Sequence, residues 1–247
     1  MVDRLFIAWQ DTVTRAWHTI ARVTRDERGY EFVFTEGAER LHSIPEELFR
    51  MSTQFRYRFD KLIPFLTNRI PSRNRDDYLQ MAGWLNLSGR ESDFDLLSKF
   101  GLIPGGDSFL IYPEPTLEAG MYSLEFFVHG IRHMHEDAAE WCQTCNAGDQ
   151  LFPLLDVKNR FDENAVALRS ESGTLLLGYV PAFYASDFRK LLESADIARL
   201  ASVTVVKHNA DAPIQLRLLC KFFAYVPPDF TSLDTDAHKP LVGEMVD

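Results

Sequence analysis

The segment Asn159-Arg160-Phe161-Asp162-Glu163-Asn164-Ala165-Val166 sets one aromatic ring among Asn and Asp residues, and an apolar run follows at once. Short amide and carboxylate side chains bond nearby backbone N–H groups and hold tight loops. Residues 165–168 then read as a strand. The loop is therefore expected at the mouth of a sheet, presenting one flat ring and several acceptors. Two segments flank it in sequence: Phe126-Phe127-Val128-His129-Gly130-Ile131-Arg132 upstream and Leu176-Leu177-Gly178-Tyr179-Val180-Pro181 downstream. A chain organised around these three pieces is committed to a small sheet-rich domain over its second half.

At 247 residues there is room for one large domain or two small ones. An apolar fraction of 46% is ordinary for a chain with a buried core. No run of about 18 apolar residues occurs, so no membrane span is expected. The start, Met1-Val2-Asp3-Arg4, lacks a secretory pattern, and three cysteines make no disulfide framework, so a cytoplasmic setting is expected. The net charge is −10, divided as −3 over residues 1–120, −3 over 121–226 and −4 over 227–247. That argues against a bulk nucleic-acid coat and allows only local contacts. One such local stretch holds Arg50, Arg56, Arg58, Lys61, Arg69, Arg73 and Arg75 with only Asp60 among them.

Along the chain, residues 5–9, 17–23 and 30–34 read as an antiparallel meander, with a turn at 26–29. Ser43 would cap a helical turn at Pro45–Leu48. From about Phe55 the spacing of Phe59, Leu62, Ile63, Phe65 and Leu66 predicts a helix that Pro64 kinks or starts. A second helix is expected over 76–85. Ser92-Asp93-Phe94-Asp95 caps a third, and Gly101 ends it. Residues 109–112 read as a strand, and 113–120 as a short linker. Strands follow at 121–128, 150–155, 164–169, 175–179, 203–207 and 214–225, with helices at 133–145 and 186–195. Residues 227–247 are acidic and aperiodic, and are expected to be disordered.

In order and spacing, the three segments around Phe161 resemble the HIRAN domain, a small β-barrel family found alone in bacteria and attached to DNA-remodelling helicases. The resemblance covers about residues 121–226 and implies an OB-like barrel that binds nucleic acid, especially single-stranded 3′ ends. Two departures stand out. A Pro-Tyr pair common in the family's loop is Arg160-Phe161 here, and an aromatic pair after Arg132 is His133-Met134. Residues 65–73 and 110–115 resemble, more loosely, the N-terminal subdomain of HipA-type toxin kinases. The kinase lobe has no counterpart, and no phosphate-loop or catalytic-loop pattern occurs. The expected class is α+β, with a small mixed domain over 1–118, a HIRAN-like barrel over 119–226 and a tail.

For the loop itself two readings stand side by side. Asp162 and Asn164 tie the turn while Phe161 fills the barrel mouth, or Phe161 stacks on a base. The resemblance favours the second. It implies a site of Arg132, His133, Asn159, Arg160, Phe161, Asp162, Tyr179 and Phe183. Arg132 would hold a phosphate and Asp162 would accept from a 3′-hydroxyl. Arg69, Arg73 and Arg75 would add phosphate contacts. Cys142-Gln143-Thr144-Cys145 has the spacing of half a zinc site. His135 would share a helical face with both thiols, but buried apolar cysteines are the simpler reading, and no cofactor is expected. No nucleophile–base pair is visible, so the expectation is a non-catalytic protein that binds single-stranded DNA or DNA ends, in DNA repair or phage defence. The alternative is an antitoxin-like regulator that binds a separate kinase or nuclease through its HipA-like N-terminal domain; the expected protein partner is a separate kinase, helicase or nuclease.

Overall fold

The computed structural model describes residues 3–11, 13–14, 16–41, 48, 51–103 and 108–241, and the backbone of 244–246. The chain forms two compact units. The first comprises residues 1–80, 87–114 and 234–247, and the second comprises 81–86 and 115–233. Among the described residues, no helix is long and apolar enough to cross a membrane.

The first unit is a six-stranded sheet. Its strands are β1 (Arg4–Gln10), β2 (Trp17–Asp26), β3 (Gly29–Phe34), β4 (Phe55–Phe59), β5 (Phe109–Pro113) and the closing β13 (Glu244–Val246). Their order is β13-β4-β3-β2-β1-β5, antiparallel throughout except for β13 beside β4. Alternation explains the layout. Leu5, Ile7 and Trp9 point to one face with Val23, Phe32 and Phe34. The helices α1 (Pro64–Thr67) and α3 (Asp93–Phe100) supply Leu66, Phe94 and Leu97 to the same core. As expected, Ser92 caps α3 by accepting the Asp95 N–H, and Gly101 ends it. Another helix, α2 (Tyr78–Trp84), runs from the first unit's residues into the second's.

Two local expectations give way. Residues 55–59 are a strand, because Phe55, Tyr57 and Phe59 alternate with Arg56 and Arg58 at period two, and the helix begins only at Pro64. Of residues 227–247, expected to lack order, 227–233 belong to the second unit and the described residues 234–241 are stitched into the first. Pro240 bridges Thr35, the Leu241 N–H donates to Phe34 O, and His238 sits among Phe6, Tyr112 and Thr235. The Tyr112 hydroxyl meets His238 Nε2 at 2.9 Å and Thr19 Oγ1 at 2.6 Å. Long-range partners of this kind leave no local pattern. The helical turn expected at Ser43 to Leu48 lies outside the described residues, apart from Leu48 itself.

The second unit holds β6 (Thr116–Glu118), β7 (Met121–Phe127), β8 (Gln150–Leu155), β9 (Val166–Arg169), β10 (Leu176–Tyr179), β11 (Ser202–His208) and β12 (Leu218–Tyr225). The expected linker is partly β6, hairpinned to β7. The order is β10-β9-β8-β11-β12-β7-β6, and an extra bridge between His129 and Tyr179 joins β10 to the continuation of β7. The sheet thus closes on itself as a barrel. A 3₁₀ turn at Ile131–His133, α4 (Glu136–Thr144), α5 (Ala182–Glu193) and α6 (Ala195–Leu200) complete the unit. Phe188 of α5 plugs the core, stacked on Phe222 and edge-on to Tyr122 and Phe126.

Beside Phe188, the fully buried Asp187 accepts the Leu233 N–H on both oxygens, at 3.0 and 2.9 Å, and the Tyr122 hydroxyl at 3.3 Å. Burial outweighs these bonds and pushes its pKa up to about 6. An unfolded Asp titrates near ~3.9. The folded carboxyl therefore holds its proton more tightly, and this group lowers stability as pH rises from about 4 to about 6. Asp187→Asn keeps an acceptor for Leu233 and abolishes the titration. Urea midpoints should show the wild type losing ground to Asp187→Asn across that window and holding level above it. Parallel pH curves would contradict this account.

Candidate nucleic-acid interface

The hairpin loop between β8 and β9 is held from inside by its own polar side chains. Asn159 Oδ1 accepts the N–H groups of Phe161 and Asp162, at 3.0 and 3.1 Å. Asp162 Oδ1 accepts the Asn164 N–H at 2.9 Å. These are the Asx turns that the local sequence dictates. The loop is also anchored from outside. Asp156 Oδ2 accepts from Asn159 Nδ2 at 3.1 Å and from the Tyr179 hydroxyl at 3.0 Å. Arg189 of α5 donates to the Glu163 carbonyl and pairs with Glu193.

Phe161 itself is 99% exposed. It does not fill the barrel mouth, which overturns that part of the reading, whereas Asp162 does tie the turn. Three more exposed apolar side chains precede it on the same hairpin: Phe152, Leu154 and Val157. Phe152 and Leu154 sit two apart on β8 and so share one face, with the Arg169 guanidinium 5.8 Å from the Phe152 ring centroid.

The upstream and downstream segments meet at the barrel closure. His129 and Tyr179 exchange both backbone hydrogen bonds at 2.9 Å. This approach requires Gly178, at φ +149°, where a Cβ would lie 2.5 Å from the His129 carbonyl oxygen. Gly130, at φ +75°, starts the 3₁₀ turn that carries the exposed Arg132 and His133. Arg132 Nε donates to His133 Nε2 at 2.9 Å. Phe183 packs edge-on to His129 at 6.2 Å and to Tyr184 at 4.7 Å. Desolvation pushes the His129 pKa down to about 4, so its ring is neutral at physiological pH. Burial, then the bond to Asp156, raises that of the Tyr179 hydroxyl, which stays protonated as a donor.

Tyr179 thus links the closure to the loop. Its backbone pairs with His129 and its hydroxyl holds Asp156, which holds Asn159. Asp156 and Arg189 were not foreseen as parts of this arrangement, because both act on the loop from outside its own run of residues. Arg160 is exposed beside Phe161.

His135, Cys142 and Cys145, weighed as an alternative zinc set, are not brought together. His135 is exposed and caps α4, whereas Cys142 and Cys145 are buried. Burial pushes the two thiols up to about 12 and about 11, so they stay protonated. Among the described residues, no group of three His, Cys, Asp or Glu side chains is arranged to hold a metal. In the first unit, Arg69 lies over the rings of Phe65 and Phe109, at 5.2 and 5.3 Å, and Arg75 grips Asp77 bidentately at 2.9 and 2.8 Å. Arg73 is exposed.

Residues 121–227 match the model of the HIRAN domain family. Among solved structures, a Lactobacillus plantarum protein determined as a structural-genomics target is similar at 15% identity and a TM-score of 0.33, over 44% of this chain and all of that one. The HIRAN domain of human HLTF is similar at 14% identity and the same TM-score of 0.33, over 46% of this chain and 85% of that one. No curated protein matches.

Proposed function

We propose that the second unit is a non-catalytic module that binds single-stranded DNA, with a preference for free 3′ ends. The observation that carries this reading is the fully exposed Phe161 ring on a loop fixed by five side-chain hydrogen bonds, from Asn159, Asp162 and Tyr179. A solvated aromatic on a fixed loop backbone gains little for the fold, but stacking on a base is worth about 1–3 kcal/mol. Because the loop is ordered beforehand, little of that gain is lost to ordering on binding. The HIRAN match over residues 121–227 supports the ligand class. Arg132 and Arg160 are the cations for phosphate, and Tyr179 with Phe183 lines the approach. The net charge of −10 keeps binding local, so affinity should rest on a few contacts and fall with salt. For the first unit, the HipA-like resemblance favours a partner surface for a separate kinase, helicase or nuclease.

Asp162 tests the end preference. Asp162→Asn retains the oxygen that ties Asn164 and removes the charge that would repel a 3′-phosphate. Titrations with an oligothymidylate carrying either a 3′-hydroxyl or a 3′-phosphate should show the wild type favouring the hydroxyl. Asp162→Asn should narrow that gap by about 1 kcal/mol, roughly fivefold. An equal preference for both ends in the wild type would remove end recognition from the account, and no binding at low salt would remove the function itself.

A further inference from the structure

Three buried polar atoms without hydrogen-bond partners among the described residues gather on one face of the first unit's sheet. They are Arg4 Nε, Arg22 Nε and Thr24 Oγ1. Arg4 on β1 and Thr24 on β2 are register partners, and Arg22 lies two residues from Thr24 on the same face. Buried polar groups almost always have partners. Three donors grouped in this way are what one acceptor-rich ligand would satisfy.

The charges around them are unequal. Arg4 pairs with Glu114 at 2.5 Å. Glu31 is shared between Arg22 at 3.6 Å and Arg56 at 3.9 Å, both looser than a hydrogen-bonded pair. Arg58, the register partner of Glu31, is held by Asp26. Three guanidinium groups therefore face two carboxylates. Burial lowers the Arg22 pKa, and the cations Arg4 and Arg56 lower it further, against Glu31 and Glu114.

We propose that this face binds a singly charged phosphate ester, the chemistry of one nucleic-acid backbone linkage, with Arg22 at the centre and Arg4, Thr24 and Arg56 around it. Guanidinium forks match phosphate oxygens bidentately, which accounts for arginine in place of lysine at all three positions. One negative charge balances the local excess. A dianion would add repulsion from Glu31 and Glu114.

The test uses the full chain carrying Phe161→Ala, Arg132→Ala and Arg160→Ala, so that the ring and both cations proposed for the barrel loop are removed. Thermal melts at fixed ionic strength compare dithymidine monophosphate, which has one phosphodiester, with inorganic phosphate at neutral pH and with chloride. Dithymidine monophosphate should raise Tm by about 2–4 °C at roughly five times its Kd, inorganic phosphate less, and chloride not at all. Arg22→Gln should abolish the rise, and so should Arg56→Gln, whose side chain is 30% exposed and can be replaced without unfolding the sheet. An oligothymidylate of about ten residues then separates two sources of the same chemistry. Tighter binding than the dinucleotide, lost in Arg22→Gln and in Arg56→Gln, assigns a nucleic-acid backbone. Equal affinity assigns a small free diester. The proposal fails if the parent shows no rise, if inorganic phosphate or chloride does as well, or if Arg56→Gln keeps the full rise.

Discussion

Phe188→Ala is expected to destabilise the second unit by about 3–5 kcal/mol, the ordinary cost of emptying a fully enclosed aromatic site. Phe188 is 0% exposed. Its ring stacks on Phe222 with centroids 3.9 Å apart, and it meets Phe126 and Tyr122 edge-on at 5.6 and 6.3 Å. These rings come from α5, β12 and β7, so one deletion loosens the helix from two strands at once. The surrounding Phe and Tyr side chains cannot collapse into the space without leaving their own rotamers. For a unit of this size the melting transition should fall by about 10 °C or more. The first unit has its own core around Phe94, Phe32 and Phe34, so its transition should stay close to that of the wild type. Calorimetry that resolves the two transitions checks both statements. A loss below about 1 kcal/mol, or an equal drop in both transitions, would contradict this packing.

Much of the fold was legible because it is written locally. Alternation marks β1, β2 and β3, and Ser92 with Gly101 marks both ends of α3. What the sequence hid is non-local or mixed. Phe59, Leu62, Ile63, Phe65 and Leu66 suggest a helical repeat only because they span the end of one strand and the start of a helix. The C-terminal residues carry no repeat. Residues 238–241 are ordered by Thr35, Phe34 and Tyr112, far away in the chain, whose positions no local window shows. Arg4, Arg22 and Arg56 sit on three different strands, and only the register brings them onto one face.

The loop at 159–164 was legible for the same local reason, since Asx turns are made by neighbours. The direction of its ring was not. Whether Phe161 packs inward or stands in solvent depends on the barrel mouth, and the barrel is closed by His129 and Tyr179 from other segments. Arg189 reaches the loop from α5, across the fold, and the role of Asp156, three residues before Asn159, depends on its bond to the distant Tyr179. The zinc spacing at Cys142 and Cys145 was real as spacing. Burial of both thiols, with His135 left outside, disposes of it.

The central claim is that Phe161 works on a ligand and not on the fold, and one paired measurement on Phe161→Ala addresses it. An exposed side chain without packing partners should change stability by less than about 0.5 kcal/mol when truncated. The same substitution should weaken binding of a short single-stranded DNA by about 1–3 kcal/mol, roughly 5- to 150-fold. Because the lost contact is a stacking face and not a charge, the slope of affinity against salt should stay unchanged. Melting temperature and oligonucleotide affinity, measured on the same preparation, decide the matter. The account predicts an unchanged Tm with affinity lost at every salt concentration; an unchanged affinity, with or without a lower Tm, would contradict it.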